Sequence, residues 1–238
     1  MTTNELKVMA ISAHAADFCS RSGGTLIKYV KDGAQVRVVW MTQGETEESQ
    51  YVYEQRPGIT TEEVREMREQ EAFAAAAIIG AEGKVFAFGD HPLRMTPNRI
   101  DMLAEEISDF NPNIILTHWH NERTHPTHHI TSMSVLAAAR IAQQSKYKLV
   151  GQPEMDIRFF EPLLGKAGIL GFVPDHYVNI TNEFDQKMDA LRKLAGQPDL
   201  PSNYTVCAQW RGLECGGKPF GVEFAEGFVS YTPSPTVL

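Results

Sequence analysis

The chain has few cysteines, little positive charge and no long apolar run. Cys19, Cys207 and Cys215 are its only cysteines, and they form no CxxC pair. Such usage excludes a disulfide-stapled scaffold and is typical of reduced thiols in the cytoplasm. The net charge of −8 argues against a nucleic-acid-binding surface, which needs a basic stripe. No apolar run approaches the roughly 20 residues of a membrane span, and the first residues show no signal pattern. We therefore expect a soluble cytoplasmic protein.

The sequence also lacks a dinucleotide-binding fingerprint, an internal repeat and a long linker. No GxGxxG follows the first apolar segment, so a nucleotide cofactor is not expected. Because no stretch is long and polar enough to separate two units, residues 1–238 are expected to form a single domain.

Short apolar segments alternate with helical patterns over the first two thirds of the chain. Strands are predicted at residues 6–12, 34–42, 84–89 and 113–119, and helices at 23–33, 60–80, 96–110 and 128–144. This alternation predicts an α/β fold with a Rossmann-like, mostly parallel sheet flanked by helices. The last third is less regular, with strands predicted at 157–162, 176–180 and 227–231, a helix at 183–195 and a turn-rich loop at 196–202.

Histidines and carboxylates follow three of the predicted strands. His14 and Asp17 lie in SAHAADF after the first strand, and Glu45 follows the second. The segment THWHNERTHPTHH, at the end of the fourth strand, holds five of the chain's eight histidines: His118, His120, His125, His128 and His129. Because the carboxyl ends of parallel strands meet at one edge of a sheet, these side chains are expected to converge. Two imidazoles and a carboxylate form a common zinc shell, although iron or manganese would also suit them.

These segments together resemble the PIG-L (LmbE-like) family of zinc enzymes, whose usual motifs are AHPDDE…GGT and HPDH. The similarity continues in MTQGE (41–45), in the helix with the RxxE…IIG pattern (68–80) and in FAEGF (224–228), and so covers nearly the whole chain.

The resemblance implies roles for four residues of this sequence. His14, Asp17 and His128 would be the ligands of a Zn²⁺ ion. His125, the first histidine of HPTHH, would match the family residue that stabilises an oxyanion or donates a proton.

The catalytic base of the family's deacetylases is missing. Ala16 stands where those enzymes have the first Asp of PDD, and Thr127 replaces the Asp of HPDH. Alanine cannot accept a proton, and loss of a general base costs about 10²- to 10⁴-fold in rate. The SAHxADF version of the motif resembles a distinct branch, the zinc-dependent 4-oxalomesaconate (4-carboxy-2-hydroxymuconate) hydratases of gallate and protocatechuate breakdown. That resemblance implies a lyase that adds water to a carbon–carbon double bond of a tricarboxylic acid.

Hydration of a polycarboxylate needs a base, an acid and cations. Glu45 is the predicted base for the attacking water, and His125 is the predicted acid that returns a proton to carbon. Arg123 and Arg68 are predicted to bind carboxylates of the small anionic substrate, because a guanidinium grips a carboxylate through two parallel hydrogen bonds.

Two other functions stay open. In an N-deacetylase of an N-acetyl sugar or related amide, Glu45 or His129 would replace the missing base. A non-catalytic, metal-binding relative would act as a scaffold, and such a protein would be expected to have lost ligands together with the base. The irregular last third is where a homo-oligomer would be expected to form its subunit contact.

Overall fold

The computed structural model describes residues 6–90, 92–144 and 155–231, and seven strands of these residues form one sheet. The strands are β1 (Lys7–Ser12), β2 (Gln35–Trp40), β3 (Glu82–Val85), β4 (Ile114–His118), β5 (Asp156–Phe160), β6 (His176–Asn179) and β7 (Ala225–Ser230). Their order across the sheet is β3-β2-β1-β4-β5-β7-β6. The first five are parallel, and β7 runs antiparallel to both β5 and β6. This confirms the predicted α/β fold with a mostly parallel sheet.

Helices cover both faces of the sheet. They are α1 (Asp17–Lys31), α2 (Gln50–Gln55), α3 (Thr61–Ile79), α4 (Pro97–Phe110), α5 (Pro126–Ala142), α6 (Phe184–Leu191) and α7 (Leu200–Glu214). Val8 and Ala10 of β1 pack into the core formed with α1, α3, α6 and α7, whereas Met9 and Ile11 pack into the core formed with α4 and α5. This alternation follows from the two-residue period of a strand. No helix of the described residues is long and apolar enough to cross a membrane.

Several elements differ from the sequence prediction; helix α1, for example, begins at Asp17 rather than at residue 23. The third strand ends at Val85 rather than at residue 89, because the backbone of Ala87 has a φ of 53°, which a strand cannot accommodate. Helix α7 begins at Leu200, inside the predicted loop, since Pro201 fits the first turn of a helix, where no N–H is needed. Helix α2 lies in a stretch that the sequence pattern left without a helix.

The C-terminal strand β7 is bonded to helix α1 through a buried carboxylate. Glu226 of β7 accepts the backbone N–H groups of Gly24 (3.0 Å) and Thr25 (2.7 Å) and the ammonium of Lys187 (2.7 Å). A Cβ atom at Gly24 would lie 2.7 Å from Ile180, so only glycine allows this close approach. The anchored helix carries the residues that follow β1 at the carboxyl edge of the sheet.

The register of the sheet brings the ends of three strands side by side. Ser12 at the end of β1 pairs with Trp40 of β2, and β4 lies on the other side of β1. The segments that follow β1, β2 and β4 therefore leave the sheet at one edge, as parallel topology requires.

Candidate active site

The three predicted metal ligands meet at this edge. The Nδ1 atom of His14 lies 3.3 Å from Oδ2 of Asp17 and 3.2 Å from Nε2 of His128, and Nε2 of His128 lies 3.6 Å from Oδ2 of Asp17. All three residues are buried. A tetrahedral ion with bonds of about 2.0–2.1 Å separates its ligand atoms by about 3.3 Å. The spacing is therefore suited to one divalent ion.

Local backbone structure aims the first two ligands at each other. Oδ2 of Asp17 accepts the backbone N–H of His14 (2.9 Å), while Oδ1 accepts a hydrogen bond from Nε of Arg21, one turn further along α1 (3.1 Å). Ala15 and Ala16, which lie between the two predicted ligands, are buried, and their small side chains fit within this tight turn. His128 comes from the first turn of α5, whose helical conformation begins at Pro126.

Buried carboxylates fix the tautomers of both histidines. Nε2 of His14 lies 3.1 Å from Oδ1 of Asp90, and Nδ1 of His128 lies 3.1 Å from Oε1 of Glu122. A neutral imidazole donates its single N–H to such a carboxylate, as metal-ligating histidines commonly do. The other nitrogen of each ring then presents a lone pair toward Oδ2 of Asp17. Three acceptors in contact repel one another unless a proton or a metal cation lies among them, so this donor set suits a positively charged group such as a metal ion.

Negative charge is in excess around the two histidines. Five carboxylates surround them: Asp17, Glu47, Glu48, Asp90 and Glu122. Among the described residues, Arg21 is the guanidinium that pairs with this group. Such an arrangement is a buried group able to bind a metal.

The same charges shift the pKa values of the ligands. Burial favours a neutral His14, but the charge of Glu48 and hydrogen bonds to nearby carboxylates outweigh it and raise the pKa of His14 well above its usual value. Burial and the neighbouring His118 lower the pKa of His128. Burial opposes ionisation of Asp17, yet the neighbouring His128 and His118, followed by Arg21, hold the pKa of Asp17 well below its usual value. The carboxylate is therefore ionised and ready to bind a cation.

The other histidines of the tract have different partners. Nε2 of His118 accepts the backbone N–H of Ala13 (2.9 Å), and its ring stacks on His128 at 4.0 Å between centroids. His118 also lies close enough to Asp17 and His128 to form a second group able to hold a metal. His129 was the alternative base for a deacetylase. Its Nδ1 atom lies 2.6 Å from the carbonyl oxygen of His120 and so contacts the backbone.

His125 lies next to the proposed ligands, as predicted. It is the N-cap residue of α5, and its ring is parallel to that of His128 with centroids 3.7 Å apart. Burial and the neighbouring His14 lower the pKa of His125, so the ring is neutral at neutral pH. Its Nδ1 atom is buried without a hydrogen-bond partner and lies 3.8 Å from Oε2 of Glu47.

The predicted base, Glu45, pairs with an arginine and lines a different cavity. Oε1 of Glu45 accepts a hydrogen bond from Arg65 (3.0 Å), and the residue lines a second cavity of about 350 Å³, together with Arg94 and Asp90. Its carboxylate belongs to none of the groups able to hold a metal among the described residues.

Glu48, three residues later, is the carboxylate that reaches the cluster. Its Oε1 atom lies 3.2 Å from Nδ1 of His14 and 3.9 Å from Nε2 of His128, and its buried Oε2 atom has no hydrogen-bond partner. No spacing in the sequence distinguished this residue from its acidic neighbours.

A cavity of about 340 Å³ opens beside the cluster. Its wall includes Ala16, Asp17, Glu47, Glu48 and Arg21. Ala16, which aligns with the catalytic base of the family's deacetylases, therefore contributes a methyl group to the wall instead of a carboxylate.

The two predicted substrate-binding arginines do not line this cavity. Arg68 is buried and bonds Glu71 (2.7 Å) and the side-chain oxygen of Gln197, which itself lines the cavity. The side chain of Arg123 is exposed. Arg21, which sequence reasoning missed, is the arginine at the cavity wall.

Residues 9–139 match the family model of PIG-L, which is described as GlcNAc-PI de-N-acetylase. The chain belongs to the PIG-L family. It is 32% identical over 247 residues to the 4-oxalmesaconate hydratase of Pseudomonas putida, covering 99% of this chain and 93% of that protein. The crystal structure of GalB, the 4-carboxy-2-hydroxymuconate hydratase of Pseudomonas putida, matches with a TM-score of 0.89 and 28% identity, covering 98% and 99% of the two chains.

The family also includes deacetylases. A 1D-myo-inositol 2-acetamido-2-deoxy-alpha-D-glucopyranoside deacetylase of Mycobacterium sp. is 30% identical over 250 residues, covering 85% of this chain and 77% of that protein. The resemblance to the PIG-L family is thus confirmed, and the choice between hydration and deacetylation depends on the site.

Proposed function

We propose that this protein is a zinc-dependent hydratase that adds water to a carbon–carbon double bond of 4-oxalomesaconate (4-carboxy-2-hydroxymuconate). One observation carries the proposal: the predicted ligand set is complete and buried, while Ala16 occupies the deacetylase base position on the cavity wall. The similarity to a 4-oxalmesaconate hydratase over 99% of the chain supports the same reading.

His14, Asp17 and His128 would hold the metal, and two imidazoles with one carboxylate suit the borderline Zn²⁺ ion. Zinc bound there would supply Lewis acidity toward oxygen atoms of the substrate. Asp90 and Glu122 hold the two rings by accepting hydrogen bonds from their outer nitrogens.

Glu48 is the base that the geometry favours. Hydration forms a carbon–oxygen bond at one carbon of the double bond and a carbon–hydrogen bond at the other. The attacking water must lose a proton, and Glu48 offers an unpartnered carboxylate oxygen at the cavity wall. Glu45 stays the prediction made from the sequence, but its Oε1 atom is paired with Arg65 and the residue is not part of this cavity wall.

His125 is the proposed acid. Its neutral ring carries one N–H, which can return a proton to the second carbon. Glu47, 3.8 Å from Nδ1 of His125, is the carboxylate that would stabilise the ring as positive charge develops. Thr127 holds Glu47 through a 2.8 Å hydrogen bond to the same carboxylate oxygen.

Deacetylation is the second candidate. The 30% identity to a mycobacterial deacetylase favours it, and Glu48 could serve as a relocated base for water attack on an amide. The non-catalytic reading is the weakest, because the ligand residues and their carboxylate partners are all in place.

The first test measures the loss of absorbance of 4-carboxy-2-hydroxymuconate with and without a chelator. We expect turnover that the chelator abolishes and added Zn²⁺ restores, with about one metal ion per chain. His14→Ala, Asp17→Ala and His128→Ala should each lose metal and activity together, whereas the control His176→Ala, on β6, keeps both.

Turnover that resists chelation, with no metal bound, would contradict the metal centre. A metal-loaded protein that leaves the substrate unchanged but cleaves an N-acetyl sugar would favour the deacetylase.

A further inference from the structure

Arg21 is a buried guanidinium at the wall of the cavity beside the proposed metal centre. It lies on α1 one turn after Asp17, and 4% of its surface is exposed. Among the residues described as lining this cavity, Arg21 is the one whose side chain is positively charged. An anionic ligand that enters beside Glu48 therefore meets Arg21.

The guanidinium is held from two directions. Its Nε atom donates to Oδ1 of Asp17 (3.1 Å), and its Nη1 atom donates to the carbonyl oxygen of Glu161 (2.5 Å). These contacts fix the plane of the side chain before any ligand arrives, so little further entropy is lost when the remaining donors are used.

With the tautomer assigned to His128 above, Nη2 has no acceptor in the described part of the chain. The atom that it meets there is Nδ1 of His128, at 3.4 Å. That nitrogen carries the proton that is given to Oε1 of Glu122, so it cannot also accept one. A buried, charged N–H group without an acceptor is costly, which marks Nη2 as a place for an acceptor from a ligand.

The neighbouring charges of the cavity explain why this cation matters. Asp17, Glu47 and Glu48 also line the cavity, and without Arg21 their charges would repel an acid. Neutral sugars have no such need for a cation.

We propose that Nη2 of Arg21 binds a carboxylate of the substrate and thereby selects polycarboxylic acids. The identity of the acid rests on the proposed hydratase function, whereas carboxylate binding rests on the cavity alone. Arg21 is thus proposed for the carboxylate-binding role that was predicted for Arg123 and Arg68.

The experiment compares two saturated acids that the enzyme cannot hydrate. Tricarballylate has three carboxylates, and glutarate has the same five-carbon chain without the central one. Binding of each to the zinc-loaded protein is measured by calorimetry for wild type, Arg21→Gln, Arg21→Lys and the exposed control Arg192→Gln. Metal content is measured on every sample, because Arg21 also contacts Asp17.

We expect wild type and Arg192→Gln to bind tricarballylate more tightly than glutarate. Arg21→Gln should weaken tricarballylate binding about 10- to 100-fold and remove this preference, as loss of a charge-assisted hydrogen bond predicts. Arg21→Lys keeps the positive charge beside Asp17 but not the planar guanidinium, so it should recover part of the preference for tricarballylate. If Arg21→Gln loses metal, the comparison of Arg21→Lys with wild type decides whether Arg21 binds the acid.

A wild-type protein without preference for the third carboxylate, or Arg21 variants that keep the preference, would overturn the inference. The readout is independent of turnover. Failure of wild type to hydrate 4-carboxy-2-hydroxymuconate would count against the hydratase proposal alone and leave the calorimetric result standing.

Discussion

Replacement of Glu48 by Gln tests the proposed base most directly. Glutamine keeps the shape of the side chain but cannot take a proton from water at the oxygen that has no partner in the structure. Loss of a general base costs about 10²- to 10⁴-fold, which corresponds to about 2.7–5.4 kcal/mol of activation free energy. We expect kcat of Glu48→Gln to fall by this amount while the protein still binds zinc through His14, Asp17 and His128.

The assay follows the absorbance of 4-carboxy-2-hydroxymuconate under steady-state conditions, with zinc content determined on the same samples. Glu45→Gln is the competing variant, since it removes the base predicted from the sequence and the ion pair with Arg65. That pair is partly exposed, so its loss costs at most about 1 kcal/mol of folding free energy. Glu62→Gln, at the exposed partner of Arg65, controls for the change in surface charge. The reasoning is refuted if Glu45→Gln gives the large loss and Glu48→Gln retains turnover.

Three further substitutions probe the site and its support. Ala16→Asp adds a carboxylate to a wall where negative charge is already in excess, so KM for the polycarboxylate should rise; if only this variant were active, and on an amide, the protein would be a decayed deacetylase. Asp90→Asn should weaken zinc binding about 10- to 100-fold in competition with a chromophoric chelator, because it removes the carboxylate 3.1 Å from Nε2 of His14; unchanged affinity would argue against the assigned tautomer. Gly24→Ala places a Cβ 2.7 Å from the side chain of Ile180 and should cost about 1–3 kcal/mol in urea unfolding, and a more stable variant would show that this side chain moves aside.

The proposed metal ligands were accessible from the sequence because each belongs to a local pattern. His14 and Asp17 are three residues apart in the turn that follows a strand, and His128 lies in the first turn of a helix. In a parallel sheet these two turns lie at the same edge, so their proximity could be predicted from the order of strands and helices alone.

Arg21 and Glu48 depend on contacts that no local pattern reports. Arg21 precedes the helix predicted at 23–33 and belongs to no motif, and one of its hydrogen bonds goes to the carbonyl of Glu161, 140 residues away. After β2 the chain turns at Gly44, whose φ of 73° favours glycine, and the turn directs Glu45 toward Arg65 and Glu48 toward His14. Sequence position alone could not tell which of the two acids would reach the cluster.

The bond between Glu226 and helix α1 bears on the order of events during biosynthesis. Glu226 and Gly24 are separated by 202 residues, so the helix that follows the proposed zinc ligands leaves the ribosome long before its anchor has been made. At roughly 5–20 residues per second, translation of the intervening chain takes on the order of 10–40 s. During that interval His14 and Asp17 lack the finished environment that aligns them. Metal binding at the proposed site is therefore expected to follow the synthesis of β7.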